Sequence, residues 1–267
     1  MNTASTGRTL SRRALRLSLL AAVSAAAVGS LAAPGHAAAE ATAYVDSGGV
    51  HYVAGTGQRN SVLVTAQGGA LVVNDVVSLL PGNGCTRVPN DPTAVSCTGG
   101  NGAFFADLGD GDDAVRLDAP LSGAVNGGAG TDVYYGGTAA GGPSQISYFG
   151  GGGSDYVSYQ FSRERVYVFL DDQRNDGRVA AGDREYVDDD VENIIGSDFD
   201  DHLGGSAAPN LVEGRPGKDQ MYGFGGSDIL RAKDGERDSV IGCGTENDSA
   251  VVDSSDPTTF SCENVTS

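Results

Sequence analysis

A nine-residue repeat constrains this chain more than any other feature. Residues 127–135 read GGAGTDVYY and residues 150–158 read GGGGSDYVS, and both fit the pattern G-G-x-G-x-D-x-U-x, in which U is a large apolar residue. A looser copy, LGDGDDAVR, lies at residues 108–116. Repeats of this kind each form one small structural unit and bury their apolar positions by stacking on their neighbours. We therefore expect stacked β-coils.

A second block of repeats fills residues 196–251. Four nonapeptides follow one another over residues 196–231, and single extra residues then precede the copies at 233–241 and 243–251. Two nonapeptides make one coil of 18 residues with a turn on each side. Asp201 and Asp219 are one coil apart, as are Asn210 and Asp228, so we expect the members of each pair to stack on the same side.

Each repeat position has a physical reason. Glycines permit positive φ, Asp oxygens and turn carbonyls are hard ligands suited to calcium, and x-U-x is a short strand whose U side chain points inward. The alternative is a glycine-rich solenoid whose Asp residues only cap turns. Phe199 replaces a turn glycine and Asn210 replaces a ligand Asp, so their turns are candidates for turns without metal. The predicted calcium-binding residues are Asp113, Gly128, Gly130, Asp132, Gly151, Gly153, Asp155, Asp201, Gly217, Asp219, Gly226, Asp228, Asp238 and Asp248.

Composition agrees with a cation-binding β protein. The chain has 41 glycines and a net charge of −18, and its acid is 27 Asp against 8 Glu. This charge argues against nucleic-acid binding, which needs basic surface, and against a polybasic membrane-surface protein. We find no phosphate-binding loop, dinucleotide fingerprint or convincing catalytic group, so no catalytic residue is predicted.

Residues 1–39 are typical of a secretory signal peptide. Arginines precede an apolar, alanine-rich run, and AAA at 37–39 offers a cleavage site. A membrane anchor is the alternative, but the run is short for a span. SRRAL at 11–15 also resembles a twin-Arg export signal; unfolded export suits a protein that folds on calcium better. Without this leader the chain has 13 basic and 35 acidic residues, a charge near −22, and no other segment is apolar enough to span a membrane.

Four cysteines lie in two local pairs, Cys85 with Cys97 and Cys243 with Cys262. Four cysteines allow three connectivities, and the short loops favour pairing between neighbours. In an exported chain we expect disulfides. Zinc binding is disfavoured because the chain has no C-x-x-C motif.

The repeats divide the rest of the chain. Residues 40–105 alternate like strands and are predicted to form an N-terminal β cap. The two calcium-repeat blocks are predicted at residues 106–160 and 196–251. Residues 252–267 are predicted to form a second cap, closed by a disulfide. Residues 161–195 interrupt the repeats with a strand and an acidic loop at 171–183, interpreted as a solvated surface loop. The run Asp188-Asp189-Asp190 is interpreted in the same way.

The chain resembles bacterial secreted calcium-binding proteins with hemolysin-type (RTX) repeats. Besides the nonapeptides, the resemblance rests on LGDGDD at 108–113, the segment 84–97, the loop 170–177 and VENIIG at 191–196. It implies an all-β parallel β-roll with calcium between stacked turns and folding outside the cell, but no single activity.

These observations lead us to expect a secreted, non-enzymatic, monomeric protein with calcium ions as its partners. Two alternatives remain open. One is an enzyme acting on extracellular polysaccharide, which an acidic cluster with a nearby Arg or Lys in a groove would favour. The other is an adhesion or cell-envelope module, which a broad exposed aromatic patch would favour.

Overall fold

Short alternating strands separated by Gly- and Asp-rich turns make this chain all-β. The structure is a computed structural model that describes residues 40–171, 173–257 and 259–267. The predicted signal peptide lies outside these residues. They form 24 strands and no helix, and the all-β prediction is confirmed for them.

The first twelve strands run to the end of the second nonapeptide turn. They are β1 (Ala41–Val45), β2 (Val50–Val53), β3 (Ser61–Gln67), β4 (Ala70–Asn74), β5 (Leu79–Pro81), β6 (Cys85–Arg87), β7 (Ala94–Thr98), β8 (Ala103–Asp107), β9 (Ala114–Leu117), β10 (Ser122–Gly130), β11 (Val133–Tyr135) and β12 (Gln145–Gly153).

The remaining twelve strands include those of the second repeat block. They are β13 (Tyr156–Ser158), β14 (Val166–Phe169), β15 (Gly177–Arg178), β16 (Tyr186–Val187), β17 (Asn193–Ile195), β18 (His202–Gly204), β19 (Leu211–Glu213), β20 (Gln220–Phe224), β21 (Ile229–Arg231), β22 (Val240–Gly244), β23 (Ser249–Val251) and β24 (Asn264–Thr266).

The strands form three sheets through which the chain passes repeatedly. One has seven strands in the order β16-β12-β10-β8-β2-β1-β5, and another has five in the order β15-β14-β18-β20-β22. The third has twelve, β24-β23-β21-β19-β17-β13-β11-β9-β3-β4-β7-β6. Each coil takes one strand from the seven- or five-stranded sheet and the next from the twelve-stranded sheet. Because successive coils pair in parallel, the topology is compatible with a β-solenoid.

Inward-facing residues of all three sheets join one hydrophobic core. The U positions occupy it as predicted: Tyr134 is 2% exposed, and Val157, Val212 and Leu230 are each 0% exposed. In β11, β19 and β21 the neighbours of the U residue on both sides are less buried, which is the two-residue period of a strand. Burying one such aliphatic side chain contributes about 1.5–3 kcal/mol, so the stack of coils is held mainly by this apolar column.

Residues before the first repeat extend two of the sheets. In the predicted N-terminal cap, β3 and β4 pair antiparallel, and β7 and β6 continue this pairing to the end of the twelve-stranded sheet. Strand β3 also pairs in parallel with β9, so this region joins the first repeat coil directly.

Both predicted disulfides are present. Cys85 bonds to Cys97 between β6 and β7, and Cys243 bonds to Cys262 near the other end of the chain. Disulfides are typical of proteins in an oxidising, extracellular environment. The described residues contain no helix that is long and apolar enough to cross a bilayer.

The segment between the repeat blocks starts a new sheet. Strand β14 opens the five-stranded sheet by pairing with β18, whereas β16 returns to the seven-stranded sheet by pairing with β12. Asp176 links strands β14 and β16. Its Oδ1 accepts a hydrogen bond from the N–H of Phe169 in β14, and its Oδ2 accepts one from the N–H of Val187 in β16. A buried carboxylate thus replaces ladder hydrogen bonds where the sheets change.

Candidate metal centre

Aspartates at the predicted ligand position form two columns along the stacked turns. Each accepts, through Oδ1, the backbone N–H of the equivalent residue in the preceding coil. In the first column, Asp132 accepts from Asp113 at 2.8 Å, Asp155 accepts from Asp132 at 2.9 Å, and Asp248 accepts from Asp228 at 2.8 Å. The first column comprises Asp113, Asp132, Asp155, Asp228 and Asp248, each preceding a strand of the twelve-stranded sheet.

The second column comprises Asp201, Asp219 and Asp238, which precede the strands of the five-stranded sheet. Asp219 accepts the Asp201 N–H at 2.8 Å, and Asp238 accepts the Asp219 N–H at 2.9 Å. The expected stacking of Asp201 with Asp219, and of Asn210 with Asp228, is present; the Asn210 N–H donates to Asp228 Oδ1 at 2.8 Å. The extra residues between coils are accommodated without breaking either column.

The second carboxylate oxygen is unpartnered in seven of these aspartates. It is buried and has no hydrogen-bond partner in the structure. An unpaired buried acceptor costs about 1–3 kcal/mol, and more when it carries charge, so this arrangement requires compensation. The residues with an unpartnered Oδ2 are Asp113, Asp132, Asp155, Asp219, Asp228, Asp238 and Asp248.

The pKa values of these aspartates also show that no positive charge offsets the burial of their carboxylates. Burial, chiefly, raises the pKa of Asp219 to about 8 and that of Asp113 and Asp238 to about 7. It raises the pKa of Asp155 and Asp228 to about 6, and charged carboxylates nearby add to the rise in every case. A cation beside these oxygens would favour the ionised form and reverse the shift.

The predicted glycines shape the turns around these oxygens. Gly128 and Gly130 have φ of 103° and 142° and lie in register with Gly151 and Gly153 of the next coil, whose φ are 100° and 146°. Gly217 and Gly226 also have positive φ, 155° and 97°. All six lie in the conformation that the repeat requires of glycine.

The first glycine of each repeat leaves space beside the unpartnered oxygen. A methyl group on Gly127 would lie 2.6 Å from both Asp132 Oδ2 and the Gly150 carbonyl oxygen. One on Gly150 would lie 2.6 Å from Asp155 Oδ2 and 2.8 Å from the Asp190 carbonyl oxygen. Carboxylate and carbonyl oxygens therefore converge at this glycine, and any side chain there would fill the gap.

Two turns have a different construction, in which a serine follows the first glycine. Ser197 donates its N–H and its hydroxyl to Asp201 Oδ2, at 2.6 and 2.9 Å. Ser206 donates its N–H to Asn210 Oδ1 at 2.6 Å, and its hydroxyl lies 3.3 Å from the same oxygen. These turns contain Phe199 and Asn210, and in both the side-chain oxygen already has donors.

A further acidic group extends the second column. One carboxylate oxygen from each of Asp219, Asp234 and Asp238 lies within 4.8 Å of the others, and the Oδ2 atoms of all three have no partner. Asp219 and Asp238 are 0% and 3% exposed. Asp234 is not at a repeat ligand position, so the nonapeptide pattern did not identify it.

Other members of the columns were also missed. Glu192 Oε2 accepts the Asp155 N–H at 2.8 Å and Glu263 Oε2 accepts the Asp248 N–H at 2.8 Å, so glutamates continue the first column. Asp256 continues the second, accepting the Asp238 N–H at 3.0 Å. The 18-residue period would have found Glu192, which precedes Asn210 by one coil, and Asp256, which follows Asp238 by one coil.

The acidic segment between the blocks is not the solvated loop that we expected. Asp176 and Glu185 are 0% and 1% exposed, and Asp188 is also buried. The reason is the change of sheet, which places these carboxylates under the coils. Glu185 accepts hydrogen bonds from the hydroxyls of Tyr134 and Tyr159, at 3.1 and 2.7 Å.

A cavity of about 300 Å³ lies beside this segment, lined in part by Tyr167, Arg178 and Asp183. Both oxygens of Asp183 are already occupied: Oδ2 accepts from the Arg178 N–H and Nε, and Oδ1 accepts from Arg178 and from the Ser144 N–H. The Arg178 guanidinium also donates to the carbonyls of Ala139 and Gly142. This pair is saturated by structural contacts, unlike the aspartate columns.

Comparisons with known proteins add no assignment. No model of a protein family matches the chain, and no curated protein is similar to it at a significant level.

Proposed function

We propose that this chain is a secreted, non-enzymatic, monomeric calcium-binding protein with the β-roll of the hemolysin-type repeat proteins that it resembles. Calcium would be held between stacked turns, by Oδ2 of the seven column aspartates in which this atom has no partner and by turn carbonyls beside the repeat glycines. The observation that carries this proposal is the set of seven buried carboxylate oxygens without a partner.

The donor set suits calcium better than other common cations. Every candidate ligand is an oxygen, and calcium takes six to eight oxygen ligands in flexible geometry. Zinc prefers nitrogen and sulfur, but all four cysteines are in disulfides. Magnesium demands stricter octahedral geometry and retains its waters. When bound, calcium would supply the positive charge that buried, stacked carboxylates require.

Calcium binding would then be coupled to folding. Without a cation, stacking brings the carboxylates of adjacent coils together, so either their repulsion opposes stacking or some of them must take up a proton, as the raised pKa of Asp219 indicates. The serine turns support this assignment, because the turns that contain Phe199 and Asn210 also provide internal donors for their side-chain oxygens. We propose that the serine turns bind no metal.

Calcium titration of the secreted, processed protein tests this function. We expect circular dichroism to show loss of much of the β signal in excess chelator and recovery at millimolar calcium, with poor recovery in magnesium. Elemental analysis of the protein purified without chelator should find calcium. An unchanged spectrum in chelator, together with metal-free protein, would refute the proposal.

A further inference from the structure

Four aromatic rings, one exposed and three half-buried, cluster on the outer face of the five-stranded sheet. Tyr167 and Phe169 of β14 stack at 4.6 Å between ring centroids, and Tyr222 and Phe224 of β20 stack at 5.9 Å. Phe169 joins the two pairs, lying 6.3 Å from Tyr222 and 6.0 Å from Phe224. We call these four residues the aromatic platform.

Glycines in the strands allow the rings to lie against the sheet. Gly204 of β18 is buried beneath the platform, and a methyl group on it would lie 2.6 Å from Phe169 Cε1 and 2.9 Å from Phe224 Cε2. Its φ is not positive, so the backbone conformation does not require glycine there. Glycine weakens a strand interior and often marks a close approach. Here it makes room for aromatic rings that cover the backbone.

Phe224 occupies a position that disfavours it. It takes the place of the second repeat glycine and has φ of 75°, where the equivalent Gly128 and Gly151 have 103° and 100°. Positive φ is costly for a bulky side chain. Its ring is also 48% exposed, so it contributes little to the core. Arg215 has φ of 72° at the same repeat position, so it is the exposed aromatic ring, together with the backbone conformation, that points to a role outside folding.

The platform lacks charge in a strongly acidic protein. The outward positions of β14, β18, β20 and β22 carry no Asp, Glu, Lys or Arg, whereas 19% of the chain is charged. Their polar groups are the hydroxyls of Tyr167 and Tyr222, the Gln220 amide and the His202 ring. Ring faces bordered by uncharged hydrogen-bonding groups suit a ligand that has flat C–H faces and hydroxyl groups.

We propose that the aromatic platform binds an uncharged polysaccharide. The C–H faces of successive pyranose rings would pack on Phe169, Tyr222 and Phe224, and sugar hydroxyls would bond to the tyrosine and glutamine groups at the edge. The net charge of −18 disfavours anionic polymers at this surface, whereas a neutral glycan meets no such repulsion. The platform rings are not among the proposed calcium ligands, but Phe224 belongs to the turn that ends at Asp228, so the variants are compared in saturating calcium.

Calorimetric titration in calcium-containing buffer tests the platform, using the hexasaccharides of cellulose, chitin, laminarin and mannan as probes. We expect at least one of them to bind. Phe224→Gly restores the glycine of the repeat turn and should fold, but it should weaken binding about tenfold, as loss of a stacked ring implies. Tyr222→Ala should weaken binding similarly. The matched control is Phe161→Ala, which removes another half-exposed ring, one that lies against Tyr135 away from the platform.

Three outcomes would overturn the proposal. One is that none of the four hexasaccharides binds the wild-type protein. Another is that polygalacturonate or heparin binds more tightly than all of them. The third is that Phe161→Ala weakens binding as much as Phe224→Gly. Sedimentation of the same samples distinguishes a second copy of the chain as the occupant, since self-association through the platform would be lost in Phe224→Gly.

Discussion

At the scale of single residues, seven column aspartates differ from Asp118 in whether the carboxylate oxygen Oδ2 has a hydrogen-bond partner. Asp219 and Asp228 each have a buried Oδ2 without a partner, whereas both oxygens of Asp118 are bonded to Arg116, at 2.7 and 2.6 Å. The first kind is available to a cation and the second is not. Position in the columns, rather than acidity alone, determines this difference.

Substitution of Asp219 or Asp228 by Ala should therefore weaken calcium binding specifically. Loss of one charged ligand costs about 2 kcal/mol, or roughly thirtyfold in affinity, and it leaves the carbonyls of that turn without a cation. Because coils contact only their neighbours, the cooperativity of calcium binding should also fall. Calorimetric titration at one ionic strength measures both effects. Asp118→Ala is the control, and an equal loss in that variant would mean that calcium binds only diffusely.

Glu185 should make stability depend on pH. Burial, chiefly, and the charge of Asp183 raise its pKa from 4.5 to about 7. Between these values the folded state holds a proton that the unfolded state has lost, so the free energy of unfolding falls as pH rises from 4.5 to 7 and then levels off. The fall attributable to this group is about 3 kcal/mol.

Glu185→Gln should remove that part of the pH dependence, because the amide keeps the shape of the side chain and does not titrate. Urea unfolding from pH 4.5 to 7.5 in saturating calcium gives the free energy of unfolding at each pH. The contribution of Glu185 is the difference between the wild-type and variant proteins in how steeply this free energy falls with pH. Parallel curves would show that Glu185 is not protonated in the folded state.

At the scale of elements, two turn types recur in the repeats, and the turn at residues 233–238 belongs to neither, because only Gly235, at its third position, has positive φ. Glycine turns have positive φ at the second and fourth positions and leave the Asp oxygen open, as at Gly128 and Gly130. Serine turns lack positive φ at Ser197 and Ser206, whose N–H and hydroxyl groups bond to the side chain of Asp201 or Asn210. The turn type depends on the second residue of the repeat. A serine there donates hydrogen bonds to the Asp or Asn side chain at the sixth position, whereas a residue with positive φ there provides no such side-chain donor.

A serine turn should become a metal site when it is given the residues of a glycine turn. The triple substitution Ser206→Gly, Ala208→Gly and Asn210→Asp places Gly, Gly and Asp at the positions that they hold in residues 127–135. We expect one additional calcium ion per chain by calorimetric stoichiometry. Asn210→Asp alone is the control, since Ser206 still occupies the new carboxylate, and a gain in that variant would contradict the role assigned to the serine.

The sequence predicted the repeats well and the insert poorly, for a physical reason. Inward U residues and both disulfides followed from local patterns, because period-two strands and short Cys loops are specified within a few residues. The burial of Asp176 and Asp188 was not predicted, because it results from a change of sheet that the local sequence does not record. Asp234 was missed similarly, since it approaches Asp219 and Asp238 only when the coils stack.

At the scale of the whole molecule, the aspartate columns and the N-terminal region differ in what holds them. Residues 40–105 are joined by antiparallel pairs and by the Cys85–Cys97 disulfide, and they contain no column aspartate. The coils beyond them stack acidic turns on one another. Since each coil contacts mainly its neighbours, the two regions have separate sources of stability.

Calcium removal should therefore unfold the molecule unevenly. In excess chelator, hydrogen exchange measured by mass spectrometry should show loss of amide protection across residues 106–251, because uncompensated carboxylates repel between coils. Protection should persist in β3, β4, β6 and β7, whose pairing needs no cation. Reduction of the disulfides in a parallel sample is the control and should remove that remaining protection. Equal loss of protection in both regions on chelation alone would show that calcium stabilises the chain as one cooperative unit, contrary to this account.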